Sequence, residues 1–236
     1  ASAAVLPLDM KAAASIVKRE NTRVSKLIDI NKAARTTCVK PAGTTSLVLG
    51  TSSGIHAWHN DFYIRRLRVG KNEPIYNYLK TNNPDLIEDE YFRPHDTAVI
   101  EIPQSAPKGS ILRTESAFDL LKRVKRIATE WVKPGHRIGS NTHNVSATIS
   151  LKADEWDKAG KWMWDNRDCY NGLSVLPYDG GTYTQAPFED ITKKKFEQLV
   201  KSLQDVNLEN VMEETDETDL SGELACAGGS CEITSL

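Results

Sequence analysis

Strand-like and helix-like segments alternate along most of this chain. Stretches rich in β-branched and aromatic residues are predicted to be strands at 62–69, 97–103, 145–151 and 172–176. Apolar residues at helical spacing predict helices at 115–132, at 153–166 and in the stretch that Asp190 could cap. Two more helices are predicted near the N-terminus, at 8–20 with Asp9 as N-cap and at about 22–34. Strands that alternate with helices are typical of the α/β class.

Composition narrows the class of protein further. The chain has 236 residues, 39% of them hydrophobic, which is enough for one large domain or two small ones. A formal net charge of −2 gives no electrostatic case for a nucleic-acid partner. No apolar run has the length of a membrane span, and residues 1–7 lack the features of a signal peptide. Four cysteines are too few for a secreted disulfide framework, so we expect a cytoplasmic protein with reduced thiols and no membrane partner.

Two of these cysteines, Cys226 and Cys231, lie close together near the end of the chain, with two glycines between them. Residues 205–224 before them are acidic and poor in apolar side chains, which predicts a flexible tether that spans about 25 Å on average. The pair could be an exchangeable dithiol, half of a zinc site, or two idle surface thiols. Zinc normally needs four ligands and no histidine lies nearby, which favours the dithiol.

A second candidate site is a short run of small and hydroxyl-bearing residues. Backbone N–H groups and hydroxyls in such a run can converge on one anion, and a helix that begins there adds its free N-terminal donors. The spacing of a Walker phosphate loop is missing, so the alternative is an ordinary loop with a helix cap. The candidate residues are Pro41, Ala42, Gly43, Thr44, Thr45 and Ser46.

Other reactive side chains favour structural roles. His56 and His59 have a spacing that could suit a metal, but no carboxylate pattern accompanies them, so we expect structural histidines. Cys38 lies in an apolar run and is expected to be a buried small side chain. The arginine-rich run at 65–68 could contact phosphates or form a solvated strand face.

Several long motifs together resemble one family. They are similar, in the same order, to the late part of adenosylcobalamin-dependent (class II) ribonucleotide reductases, from about residue 20 to the end. The one departure within a motif is Ala42, where many relatives carry serine. The matching motifs are residues 38–46, 50–56, 144–148, 170–174 and 176–187, followed by the terminal Cys-x4-Cys.

The resemblance implies a fold and a division of roles. Residues 1–35 would be a helical segment, 36–204 the closing part of a ten-stranded α/β barrel, and 205–236 a flexible tether with a redox tail. The loop from Pro41 to Ser46 would hold the phosphates of a ribonucleotide substrate. Cys226 and Cys231 would reduce the disulfide left by each turnover and would be re-reduced by thioredoxin or a similar dithiol protein. The reaction would supply deoxyribonucleotides for DNA synthesis.

The family's radical cysteine is missing from the matching motifs. We therefore expect a C-terminal portion that needs an N-terminal partner to complete the barrel, with adenosylcobalamin bound mainly by that upstream portion. The alternatives are a dithiol redox or binding module that catalyses nothing itself, and a zinc-binding tail. The sequence leaves open whether the substrate is a diphosphate or a triphosphate.

Overall fold

A computed structural model describes residues 7–178, 183–203 and 206–212. These residues form two units. The first unit comprises the described residues up to Trp58 together with Gly109–Tyr178, and the second comprises His59–Lys108 and the described residues from Tyr183 onward. In chain order the elements are α1 (Met10–Leu27), α2 (Thr44–Val48), β1 (Phe62–Gly70), α3 (Pro74–Asn82), β2 (Ile87–Asp89), β3 (Thr97–Ser105), α4 (Ala117–Ile127), β4 (Thr148–Leu151), α5 (Trp156–Asp165), β5 (Ser174–Pro177), β6 (Phe188–Asp190) and α6 (Lys193–Leu203).

The N-terminal helix α1 begins close to its predicted start but runs past its predicted end at residue 20. The Asp9 carboxylate accepts the Ala12 N–H at 2.9 Å, which confirms the cap. The second helix predicted at 22–34 is wrong, because α1 runs on to Leu27 and then stops. Asp29 adopts a left-handed φ of 53°, and the Ile30 N–H donates to the Ser25 carbonyl at 2.9 Å. This is the Schellman arrangement that closes a helix.

In the first unit, β4 and β5 pair in parallel, with Thr148 opposite Ser174, and α5 connects them. Parallel strands need such a crossover, so the predicted strand–helix–strand order is confirmed here. The apolar face of α4 packs against this pair, with Leu121, Val124 and Ile149 almost fully buried. Ser116 and Asp119 form a capping box at the start of α4. After Ile127 the helix continues into a π-helical turn, Ala128–Val132.

In the second unit, four antiparallel strands form a sheet in the order β2-β3-β1-β6. The strands predicted at 62–69 and 97–103 are confirmed, and they pair with each other over nine residues. Leu79 of α3 packs with Ile87 and Ala98 in a small core at one end of the sheet. The predicted cap at Asp190 is wrong, because Asp190 lies in β6 and the Thr192 hydroxyl accepts the Lys195 N–H instead.

The predicted α/β class is confirmed. The ten-stranded barrel and the boundaries at residues 35 and 204 stay predictions. No helix in the described ranges combines the length and apolar character that crossing a membrane requires.

Candidate functional site

The candidate phosphate loop lies in the first unit and runs into the five-residue helix α2. The Ser46 hydroxyl donates to the Gly43 carbonyl at 2.6 Å, which closes the loop on itself. The Leu49 N–H donates to the Thr45 carbonyl at 3.1 Å, and the Thr51 N–H donates to the Ser46 carbonyl at 2.8 Å. Ser46 is buried, whereas Thr45 is exposed. The loop is therefore a tight turn that presents its outer side to solvent.

The start of α2 supplies hydrogen-bond donors that the helix itself does not use. The first N–H groups of any α-helix have no carbonyl partner within the helix. Just before α2, the Ala42 N–H donates to the Lys40 carbonyl at 2.9 Å, so the chain turns sharply into the helix. This geometry suits an anion at the outer side of the turn, because the N–H dipoles favour negative charge there.

The segment that leads into the loop is hydrogen-bonded to the π-helical turn and to Gly135 shortly after it. The Thr36 N–H and hydroxyl both donate to the Gly135 carbonyl, at 3.1 and 2.9 Å. The Thr37 hydroxyl donates to the Trp131 carbonyl at 2.6 Å. The Trp131 indole N–H donates back to the Cys38 carbonyl at 3.0 Å. Four hydrogen bonds thus hold the three residues that lead into the loop.

The segment that follows the loop is hydrogen-bonded to α4. Gly54 has a φ of +55°, and a Cβ there would lie 3.4 Å from both the Lys40 carbonyl oxygen and the Pro41 Cα. The next residue, Ile55, is buried, and its carbonyl accepts an N–H of Arg123 at 3.0 Å. The buried Arg123 guanidinium also pairs with Glu115, with one N–H donating to Oε1 at 3.0 Å. Both ends of the loop are therefore held by the same helix and the turn that follows it.

His56 is a structural residue, as predicted. Its Nε2 accepts the Thr148 N–H at 3.1 Å, so the ring hydrogen must lie on Nδ1, which then donates to the Ser53 carbonyl at 2.9 Å. His59 lies in the second unit and pairs with Asp190. Among the described residues, no three His, Cys, Asp or Glu side chains come together as metal ligands.

The predicted burial of Cys38 is wrong, because its side chain is exposed. The segment around it is an extended loop, and its backbone is used to accept the Trp131 indole N–H. Cys226 and Cys231 lie outside the described residues, so their roles stay predictions. Sequence reasoning missed Arg123, Trp131 and Gly135, because nothing in the local pattern around them points to residues about 70 to 100 positions earlier.

Comparisons with known proteins find no matching protein-family model. Among curated proteins, the chain is 30% identical over 217 residues to an adenosylcobalamin-dependent ribonucleoside-triphosphate reductase of Lactobacillus gasseri, and the match covers 89% of this chain. It is 26% identical over 222 residues to the reductase of the same name from Euglena gracilis, covering 92% of this chain. The resemblance to adenosylcobalamin-dependent ribonucleotide reductases is confirmed. These matches cover only 28% and 29% of the relatives, so the chain spans less than a third of their length.

The fold agrees with this resemblance. A crystal structure of a B12-dependent (class II) ribonucleotide reductase matches with a TM-score of 0.66 and 24% sequence identity. The match covers 85% of this chain and 28% of that structure. The first and second units therefore have the fold of one part of that reductase.

The curated relatives are named as dependent on adenosylcobalamin. The described residues bring no metal-ligand cluster together, and both ring nitrogens of His56 are engaged within the protein. No described residue is therefore assigned to the cofactor.

Proposed function

We propose that this chain is the part of an adenosylcobalamin-dependent ribonucleotide reductase that holds the substrate phosphates and renews the active-site thiols. The observation that carries this proposal is the match to such reductases over 89% of the chain. The curated relatives are named as ribonucleoside-triphosphate reductases, so we propose that the substrate is a ribonucleoside triphosphate. The rest of the barrel would be supplied by an N-terminal portion.

The phosphate-binding role belongs to the turn from Pro41 to Ser46. The N–H groups at the start of α2 would donate to phosphate oxygens, and the exposed Thr45 hydroxyl would add a further donor. Ser46 would act through its backbone N–H, because its hydroxyl hydrogen is already used on the Gly43 carbonyl. The hydrogen bonds on both sides of the loop would keep these donors in place before the substrate arrives, which reduces the entropic cost of binding.

The redox role belongs to Cys226 and Cys231. A thiolate of the pair would attack the active-site disulfide and form a mixed disulfide, which the second thiol would then resolve. The products are two active-site thiols and a Cys226–Cys231 disulfide, which thioredoxin or a similar dithiol protein would reduce again. Adenosylcobalamin would supply the radical chemistry in the assembled enzyme.

Reconstitution with the N-terminal portion, adenosylcobalamin and a reductant tests this function. We expect deoxyribonucleotide formation from a ribonucleoside triphosphate. Cys226→Ser should abolish multiple turnover with thioredoxin but largely spare activity with a small dithiol, which reaches the active site directly. Cys38→Ser is the matched control, because Cys38 is exposed but lies outside the tail. Equal loss of activity with both reductants would contradict the shuttle role.

The alternatives make different predictions for the purified chain. A redox module without catalysis would show a defined Cys226–Cys231 disulfide potential but no product in the reconstituted assay. A zinc-binding tail would carry stoichiometric zinc that Cys231→Ser removes. Thiol titration and metal analysis distinguish these outcomes from the reductase.

A further inference from the structure

The arginines of β1 differ sharply in their surroundings. Arg66 forms ion pairs with Glu101 at 2.7 Å and with Glu189, and all three side chains are on strands of the second unit. Arg68 pairs with the buried Glu90 at 3.4 Å. These two cations are neutralised within the chain. The hypothesis that the arginine-rich run is a free phosphate-binding surface is therefore wrong for them.

Arg65 points to the opposite face of the sheet, because side chains alternate along a strand. Its Nε is buried and has no hydrogen-bond partner. In the part of the chain that the structure describes, no carboxylate lies within ion-pair distance of Arg65. Burial lowers the pKa of Arg65. A buried Nε–H without an acceptor is unfavourable, since it has lost water and gained no hydrogen bond.

A second unused donor lies beside it. Tyr63 is two residues earlier on the same face and is only 3% exposed. No described residue accepts a hydrogen bond from its hydroxyl. Burial raises the pKa of Tyr63, and the positive charge of Arg65 opposes that rise.

The surroundings of these two donors are aromatic. Phe188 of β6 is the cross-strand partner of Arg65, and the guanidinium carbon lies 5.1 Å from its ring centroid. The His59 ring stacks on Phe188 at 5.1 Å and meets the Tyr63 ring edge-on at 5.4 Å. The neighbouring acid, Asp190, is engaged by His59, with Nε2 and Oδ1 3.0 Å apart. The face therefore combines a buried donor that lacks an acceptor, a phenol hydroxyl beside it and a floor of aromatic rings.

We propose that Arg65 and Tyr63 bind a carboxylate group that none of the described residues supplies. A guanidinium and a phenol offer N–H and O–H donors that match the two oxygens of one carboxylate. A carboxylate is favoured over a phosphate because Arg65 is a single cation, and burying a dianion beside one positive charge leaves net negative charge in an apolar place. This site lies in the second unit and does not depend on reductase activity.

Arginine side-chain NMR of the full chain tests the site. The Nε–H resonance of Arg65, identified by its loss in Arg65→Lys, should shift saturably with sodium acetate and not with sodium chloride at equal ionic strength. The resonance of Arg66 should stay unchanged, because that side chain is already paired. Absence of a saturable shift at Arg65 would overturn the proposal, and equally tight binding of inorganic phosphate would overturn the carboxylate assignment.

Matched variants separate a binding role from a structural one. Tyr63→Phe should weaken acetate binding about tenfold to a hundredfold, because one hydrogen bond to a charged group is lost. Tyr91→Phe is the control, since Tyr91 is an exposed tyrosine of the same unit. Arg65→Met should abolish the acetate response and raise the melting temperature of the chain without acetate, because an unpaired charge is removed. A lower melting temperature would assign Arg65 to structure and contradict the proposal.

A final comparison identifies the source of the carboxylate. The probes are acetate and a blocked tripeptide, acetyl-Gly-Glu-Gly-amide. Tighter binding of the peptide supports a glutamate or aspartate side chain of another protein segment, and equal binding supports a free carboxylic acid. Saturable binding of either probe supports the site, whereas binding of neither overturns it.

Discussion

Replacing Gly135 with alanine should loosen the segment that leads into the candidate phosphate loop. A Cβ at this position would lie 1.9 Å from Thr37 Oγ1 and 2.7 Å from its Cγ2. Thr37 is 4% exposed and cannot swing into solvent. Forced overpacking costs about 1–3 kcal/mol, and loss of the Thr37–Trp131 hydrogen bond adds about 1 kcal/mol. We expect the free energy of unfolding to fall by roughly 2–4 kcal/mol.

Thermal and urea unfolding followed by circular dichroism measure this effect. For a chain of this size the melting temperature should fall by roughly 5–15 °C. Gly160→Ala is the matched control, because Gly160 lies inside α5 with no atom within 4 Å of an added Cβ. That change should stabilise the chain by about 0.5–1 kcal/mol, since alanine favours the helix.

A double-mutant cycle isolates the contact. Thr37→Ala removes the two nearest atoms, so combining it with Gly135→Ala should cost at least about 1 kcal/mol less than the sum of the single changes. Additive effects would show that the clash with Thr37 is not the cause. A Gly135→Ala protein as stable as the parent chain would refute the reasoning altogether.

Three further predictions concern the same unit. Arg123→Ala should lower the free energy of unfolding by about 3–5 kcal/mol, because it leaves the partly buried Glu115 charge unpaired. Glu115→Gln, measured alongside in urea, should cost less. Ser46→Ala should raise the KM for the nucleotide in the reconstituted enzyme by about threefold to tenfold with little change in kcat, because the loop loses the bond that closes it; an unchanged KM would exclude that role. Ser116→Ala should cost about 1 kcal/mol at neutral pH. The hydrogen bond from Ser116 lowers the pKa of Asp119. The stability that this hydrogen bond contributes is therefore present above the ordinary carboxyl pKa and is lost as the pH falls through the lowered value. The free energy of unfolding of Asp119→Asn, measured over the same acid range, should not show this loss of stability.

Local patterns predicted the elements of this protein well where one periodicity dominates. The strands at 62–69 and 97–103 and the helix at 115–132 lie where the side-chain pattern places them. The end of α1 was missed because it depends on a left-handed turn at Asp29, which the apolar spacing does not reveal. The exposure of Cys38 was missed because its backbone partner, Trp131, is 93 residues away.

The candidate site also has one part that the local sequence predicts and another part that it does not. The hydroxyl-rich turn from Pro41 to Ser46 was recognised from its residues, since donors that converge on an anion are encoded locally. The groups that hold this turn were not recognised, because Gly135 and Arg123 act through contacts with distant segments. The close packing of the Gly135 backbone on the Thr37 side chain leaves only a glycine in the sequence, and a glycine has many other uses.

The α/β character, the hydroxyl-rich turn and the resemblance to ribonucleotide reductases could be read from the chain alone, because each is carried by the types and order of neighbouring residues. The antiparallel pairing of β1 with β3 became visible only in the folded chain. So did the contrast between Arg66, which is neutralised, and Arg65, which has no ion-pair partner among the described residues. Alternation along β1 places Arg65 and Arg66 on opposite faces, but the acids that meet each face come from other strands. Strand register sets those partners, and register is a property of the assembled sheet.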